Sequence, residues 1–64
     1  MTIFEKAQRY IDYCREHDYT LDIYMSDYER YRVHTSTGDI VLGGMELSYY
    51  LAQRYDDEVE AGNL

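Results

Sequence analysis

The chain predicts an α+β fold of order αβββα, with a three-stranded antiparallel sheet and both helices packed on one of its faces. Three observations carry this. Two segments place apolar residues at helical spacing, and they flank a central region where apolar and polar residues alternate. The central region is punctuated by polar or glycine-containing breaks of hairpin type. There is no proline, repeat or low-complexity stretch to suggest any other partition of the 64 residues, so a single small domain, 1–64, is expected.

The first helix is "TIFEKAQRYIDYC". Thr2 and Glu5 have the spacing of a capping box, the threonine as N-cap and the glutamate three residues on. Ile3, Phe4, Ala7, Tyr10, Ile11 and Cys14 form the predicted apolar face, with Glu5, Arg9, Asp12 and Glu16 opposite. The helix is expected to fade around His17 and Asp18. In "YTLDIYMS", Leu21, Ile23 and Met25 alternate with Thr20, Asp22 and Tyr24, the pattern of a half-buried strand. Ser26 and Asp27 suit a turn. "RYRVHT" alternates again, with Tyr31 and Val33 on one side and Arg30, Arg32 and His34 on the other. "STGD" is a hairpin connection in which Gly38 is free to take a positive φ. "IVL" makes a short third strand, and Gly43 and Gly44 break it sharply.

The second helix is "MELSYYLAQRY". Leu47, Leu51 and Tyr55 form its predicted buried line, with Tyr50 beside it. Tyr49, Gln53, Asp56 and Glu60 form an opposing stripe. Continuing the helix would turn Glu58 toward the core, so it is expected to end near Asp56 or Asp57 and leave residues 58–64 as a flexible acidic tail. The meander leaves one sheet face open, carrying Asp22, Tyr24, Arg30, Arg32, His34 and Val41.

Composition narrows the function. A chain this short buries only about 60% of its unfolded surface, so its core has little room for a deep pocket. The acids outnumber the bases 13 to 6, for a net charge of −7, which disfavours nucleic acid and anionic membranes as direct partners and favours a basic protein surface. Nine tyrosines supply rigid, amphipathic contact area and also serve as filler in a core without tryptophan. The one cysteine, Cys14, lies on an apolar face, where burial rather than reactivity is expected. Met1 to Tyr10 is too charged for a signal peptide, and no apolar run has the length of a membrane span. A soluble protein of a reducing cytoplasm is expected.

No motif points to catalysis or a cofactor. His17 and His34 have no partner at metal-ligand spacing on their own elements. "IVLGGMEL" lacks the Walker and dinucleotide-binding patterns, and Glu46 would stand where an anion has to sit. "DDEVE" lacks the alternation, glycine and terminal bidentate glutamate of a calcium loop. It remains an acidic run at the negative end of a helix, where Lys or Arg is preferred. Such a run solvates a small tyrosine-rich protein. It also suits a basic partner, because spaced carboxylates stand in for phosphates.

With its small size, acidity and αβββα order, the chain resembles the small phage-encoded anti-CRISPR proteins. The resemblance rests on "DYTLDI" (Asp18 to Ile23), on "YRVHT" (Tyr31 to Thr35), on the glycine-containing turn and on the closing helix followed by acids. Some members of that group are DNA mimics that fill the PAM-reading cleft of Cas9. The resemblance implies a non-enzymatic inhibitor of a CRISPR effector or another basic nucleic-acid-binding protein, acting in the bacterial cytoplasm without a cofactor. The candidate partner-binding residues are Tyr49, Asp56, Asp57, Glu58 and Glu60, together with Asp22 and Tyr24 on the sheet. Asp18, Asp27, Glu29 and Asp39 extend the acidic surface. The alternative is a small self-associating structural or assembly protein that uses the open sheet face. Monomer and homodimer are both open.

Overall fold

A computed structural model describes residues 1–26 and 30–64. The expected turn at Asp27 and the acid at Glu29 lie outside the described residues. Helix α1 (Ile3–Glu16) is followed by strands β1 (Leu21–Met25), β2 (Arg30–Thr35) and β3 (Gly38–Gly43), then helix α2 (Gly44–Glu60). The strands form an antiparallel meander in the order β1-β2-β3, and the helices pack against one face of it.

The capping box forms as the spacing predicts. The Glu5 amide donates to Thr2 Oγ1 at 3.1 Å, and the Thr2 amide donates to Glu5 Oε1 at 3.2 Å. The Thr2 hydrogen bonds hold the Glu5 carboxyl below its ordinary value. At the other end His17 is the C-cap and Asp18 takes φ 58°, while the Tyr19 amide reaches back to the Cys14 carbonyl at 2.9 Å. This is a Schellman closure, with aspartate at the left-handed position where glycine is preferred. It delays the start of β1 to Leu21.

The register aligns Ile23, Val33 and Ile40 across the sheet on the helix side, and Tyr24, Arg32 and Val41 on the open side. The β2–β3 hairpin turns through Ser36 and Thr37, with Thr35 opposite Gly38 at φ 133°. Thr35 Oγ1 accepts from the Thr37 amide at 3.2 Å and donates to the Gly38 carbonyl at 2.9 Å. The third strand is longer than "IVL", because this turn carries pairing out to Gly38.

Connectivity makes the two helices run the same way. An odd number of strands between them returns the chain to the end at which α1 began. Asp18 and Tyr19 after α1 accordingly lie at the same end of the molecule as Glu58 and Asn63, and Tyr10 of α1 lies against Arg54 of α2, with the guanidinium 6.0 Å from the ring centroid. The buried core is small: Ala7, Tyr13, Cys14, Val33, Leu51 and Ala52. Val33, at the centre of the middle strand, is fully covered.

Three expectations are corrected. Phe4 is 62% exposed, whereas Tyr13 is buried. The second helix packs on the α1 flank that carries Lys6, Tyr10 and Tyr13, which leaves Phe4 on the far edge of the apolar arc. Met25 has the predicted orientation along β1 but is 60% exposed, at the end of the strand. Helix α2 does not stop at Asp56 or Asp57; it runs to Glu60. Glu58 does turn inward, as helical continuation requires, and is accommodated there half-buried. Gly62 at φ 84° then closes the helix, with the Asn63 amide donating to the Glu58 carbonyl at 2.8 Å.

Candidate functional site

The helical run to Glu60 sorts the acids of "DDEVE" onto different sides. Tyr49, Gln53, Asp56 and Glu60 recur at spacings of four, three and four and share one exposed line, with Asp57 beside it. Tyr49 is 56% exposed at the head of this line. At 1.5 Å per residue the line extends about 16 Å from Tyr49 to Glu60. Glu58 is not part of it and faces α1. Its Oε2 accepts from Asn63 Nδ2 at 2.8 Å.

Local partners offset the unfavourable placement at the helix end. Lys6 Nζ of α1 donates to Asp56 Oδ1 at 2.9 Å. Gln53 Nε2 donates to Asp57 Oδ1 at 3.1 Å, and Arg54 Nη1 lies 3.8 Å from Asp57 Oδ2. These pairs are roughly half exposed and each contributes about 0–1 kcal/mol. They hold the carboxylates in place while leaving them accessible.

Asp22 and Tyr24 stand on the open sheet face, the opposite side of the molecule from the Tyr49 stripe. The structure therefore divides the seven predicted partner-binding residues among three surfaces: the stripe, the sheet face, and the inward position of Glu58. On the sheet face the register sets Asp22, His34 and Asp39 side by side at one end, and Arg32 between Tyr24 and Val41 nearer the other. His34 Nδ1 pairs with Asp39 Oδ1, and Arg32 Nη1 lies 3.6 Å from Asp39 Oδ2. The Asp39 hydrogen bond and charge raise the His34 imidazole above its ordinary 6.5, and Asp22 adds to the effect. The same contact lowers Asp39 below its ordinary 3.8.

The sign of the linkage follows from these directions. The raised His34 contributes stability that is complete below pH about 6.5 and is lost as pH rises through its folded-state value. The lowered Asp39 contributes above pH about 3.8 and loses its contribution as pH falls through its own. The pair is therefore worth most at mildly acidic pH. An imidazole titration followed by NMR is expected to place His34 above 6.5, and Asp39→Asn to move it back toward that value. A His34 that titrates identically in both proteins would remove Asp39 as the cause.

A third feature departs from the sequence expectation that a chain this small has little room for a pocket. A cleft of about 570 Å³ opens where the C-terminal ends of both helices meet the α1–β1 connection and the β2–β3 turn. It opens at one end of the two layers, with the core residues Tyr13 and Cys14 in its lining. Tyr10, Tyr13, Tyr19 and Tyr50 line it, with Arg54 and Glu58. The Tyr13 and Tyr19 rings meet edge-on at 5.7 Å. Burial, followed by contacts with Tyr19 and the Glu58 carboxylate, pushes the Tyr13 phenol up to about 12. Tyr10 and Tyr13 belong to α1, Tyr19 to the connection after it and Tyr50 to α2, and the shared polarity of the two helices brings them together.

Cys14 is buried, as its place on the apolar face predicts. His17 Nδ1 contacts the Tyr13 carbonyl at 2.9 Å, and its ring stacks on Tyr19. Among the described residues no three His, Cys, Asp or Glu side chains gather as a metal-ligand set. None of the described helices is long and apolar enough to cross a membrane. Comparison with known proteins finds no matching family model, no matching curated sequence and no matching solved structure. The fold and its surfaces define the class: a two-layer α+β protein with an open sheet on one side and an acidic, tyrosine-headed helix ridge on the other.

Proposed function

We propose that this protein is a non-enzymatic inhibitor, of the anti-CRISPR kind, that occupies a basic nucleic-acid-handling surface of a bacterial defence complex. The observation that carries the reading is the continuous α2 ridge, with exposed Tyr49 leading into Asp56, Asp57 and Glu60 on one helical face. The carboxylates Asp56, Asp57 and Glu60 cover about 6 Å of helix axis, roughly the rise of two phosphate steps along one nucleic-acid strand. An exposed tyrosine at the head of the ridge supplies a contact of the type enriched at interface hot spots. The net charge of −7 supports recognition of Lys- and Arg-rich protein and opposes direct binding to nucleic acid. The inhibitor would act in the host cytoplasm and require no cofactor. Glu58 takes no part in the ridge, so the proposed contact comprises Tyr49, Asp56, Asp57 and Glu60.

The test is binding of the whole chain to immobilised CRISPR effector complexes, Cas9 with guide RNA among them. It is run at about 50 and about 300 mM salt, where the Debye length is roughly 14 and 6 Å, with and without competing target DNA. Binding is expected to weaken steeply with salt and to be displaced by DNA. The triple variant Asp56→Asn, Asp57→Asn, Glu60→Gln is expected to bind about threefold to a hundredfold more weakly, from three exposed ion pairs of roughly 0.2–1 kcal/mol each. Its thermal stability should change little. Binding that is indifferent to salt, to DNA and to the triple variant would sink the ridge as the contact surface.

A further inference from the structure

We infer that the cleft between the two helix ends is a binding site for an organic cation, a guanidinium or alkylammonium group. Its volume of about 570 Å³ falls within the range of small-ligand sites. Four tyrosines contribute to its walls: Tyr10 and Tyr50 from the helix faces, Tyr13 and Tyr19 from the end of α1 and the connection after it. Tyrosine faces attract cations, and the Arg54 guanidinium already lies 6.0 Å from the Tyr10 centroid. That contact shows a wall of this cleft receiving a planar cation of the proposed class. Arg54 does not close the site to a second cation electrostatically, because Asp57 Oδ2 stands 3.8 Å from its Nη1.

The field in the cleft has the matching sign. The parallel helices bring both of their negative C-terminal ends to the same end of the molecule. Asp18 and Glu58 add two carboxylates to the lining, against the one compensated arginine. Glu58 is the only half-buried acid of "DDEVE" and is held in place by Asn63 at 2.8 Å. The Thr37 hydroxyl at the hairpin, which donates toward Thr35 Oγ1, retains lone pairs to accept from a charged N–H group. The same arrangement repels phosphate and carboxylate ligands. The inference does not depend on the ridge of the proposed inhibitor, since the cleft is lined by other residues and needs no partner protein for its test.

The experiment is an amide NMR titration of the full chain at constant ionic strength. One arm uses agmatine, a free alkylguanidinium, and a second uses a short neutral-capped peptide with a single arginine. Sodium chloride and inorganic phosphate are the controls. Saturable shifts confined to Tyr19–Leu21, Thr35–Gly38 and Tyr50–Glu58 are expected with the guanidinium probes and not with the controls. Saturation by agmatine identifies a free small cation as sufficient; saturation by the peptide alone identifies a protein arginine as the source of the group. Glu58→Gln is expected to weaken binding about tenfold. Because Glu58 also anchors Asn63, Thr37→Lys at the exposed hairpin serves as a second variant that places a competing cation at the mouth with the core untouched. Linear, non-saturating shifts, shifts elsewhere, or equal shifts with sodium chloride would overturn the assignment, as would unchanged affinity in a folded Thr37→Lys protein.

Discussion

Leu51→Ala is expected to remove about 2–5 kcal/mol of stability, the range measured for large-to-small changes at packed aliphatic sites. Leu51 is 3% exposed and, with Tyr13 and Val33, is one of the few large side chains that the described fold buries. Ala7, Cys14 and Ala52, the other buried residues, are small and have little freedom to collapse into a vacated volume. A chain of 64 residues has a total stability on the order of 3–10 kcal/mol, so this one change removes from about a fifth to all of it. Urea unfolding should show a midpoint that falls sharply at an unchanged slope. Met45→Ala, at a side chain 58% exposed, serves as the control and is expected to stay within about 0.5 kcal/mol of the parent. A loss below about 1 kcal/mol for Leu51→Ala would mean that α2 does not seat on the core through this residue.

The second large effect is reciprocal. Both helices end in the same closure, but α1 places Asp18 at the left-handed position with φ 58° and α2 places Gly62 there with φ 84°. An L-residue in that region costs roughly 1–2 kcal/mol, less for aspartate than for most. Asp18→Gly is therefore expected to stabilise by up to about 1 kcal/mol, raising the melting temperature by about 4–8 °C. It also removes a negative charge from the negative end of α1. Gly62→Ala is expected to lower stability by about 1 kcal/mol, since no Cβ clash arises but the backbone angle does not suit alanine. Thermal melts of both proteins decide the matter. Destabilisation by Asp18→Gly would show that the aspartate side chain supplies a contact worth more than the strain it causes.

The elements whose formation depends on neighbours in the chain were legible in sequence. The Thr2–Glu5 box needs only four consecutive residues, and both of its hydrogen bonds form. Alternation in "LDIYM" and "RYRVHT" determined the two faces of the sheet, because side chains on a strand alternate whatever packs above them. The signal for the end of α2 was also present in Gly62. The reason Glu58 can face inward lies far away in the chain: the residues it meets include Tyr13 of α1.

By itself, then, the amino-acid order determined the αβββα sequence of elements, the N-terminal cap, the glycine-dependent hairpin and the side of each strand that faces the helices. These rest on backbone conformation and on periodicities of two and 3.6, which are local. Tertiary structure alone decided which flank of α1 is buried, exposing Phe4 and covering Tyr13. It also decided which acids acquire a partner, as when Lys6 meets Asp56 fifty residues on. It created the cleft, whose tyrosines meet only because two parallel helices end beside the same hairpin. Helical and strand periodicity state which residues share a face, but the identity of the surface that covers that face is a property of the packed whole.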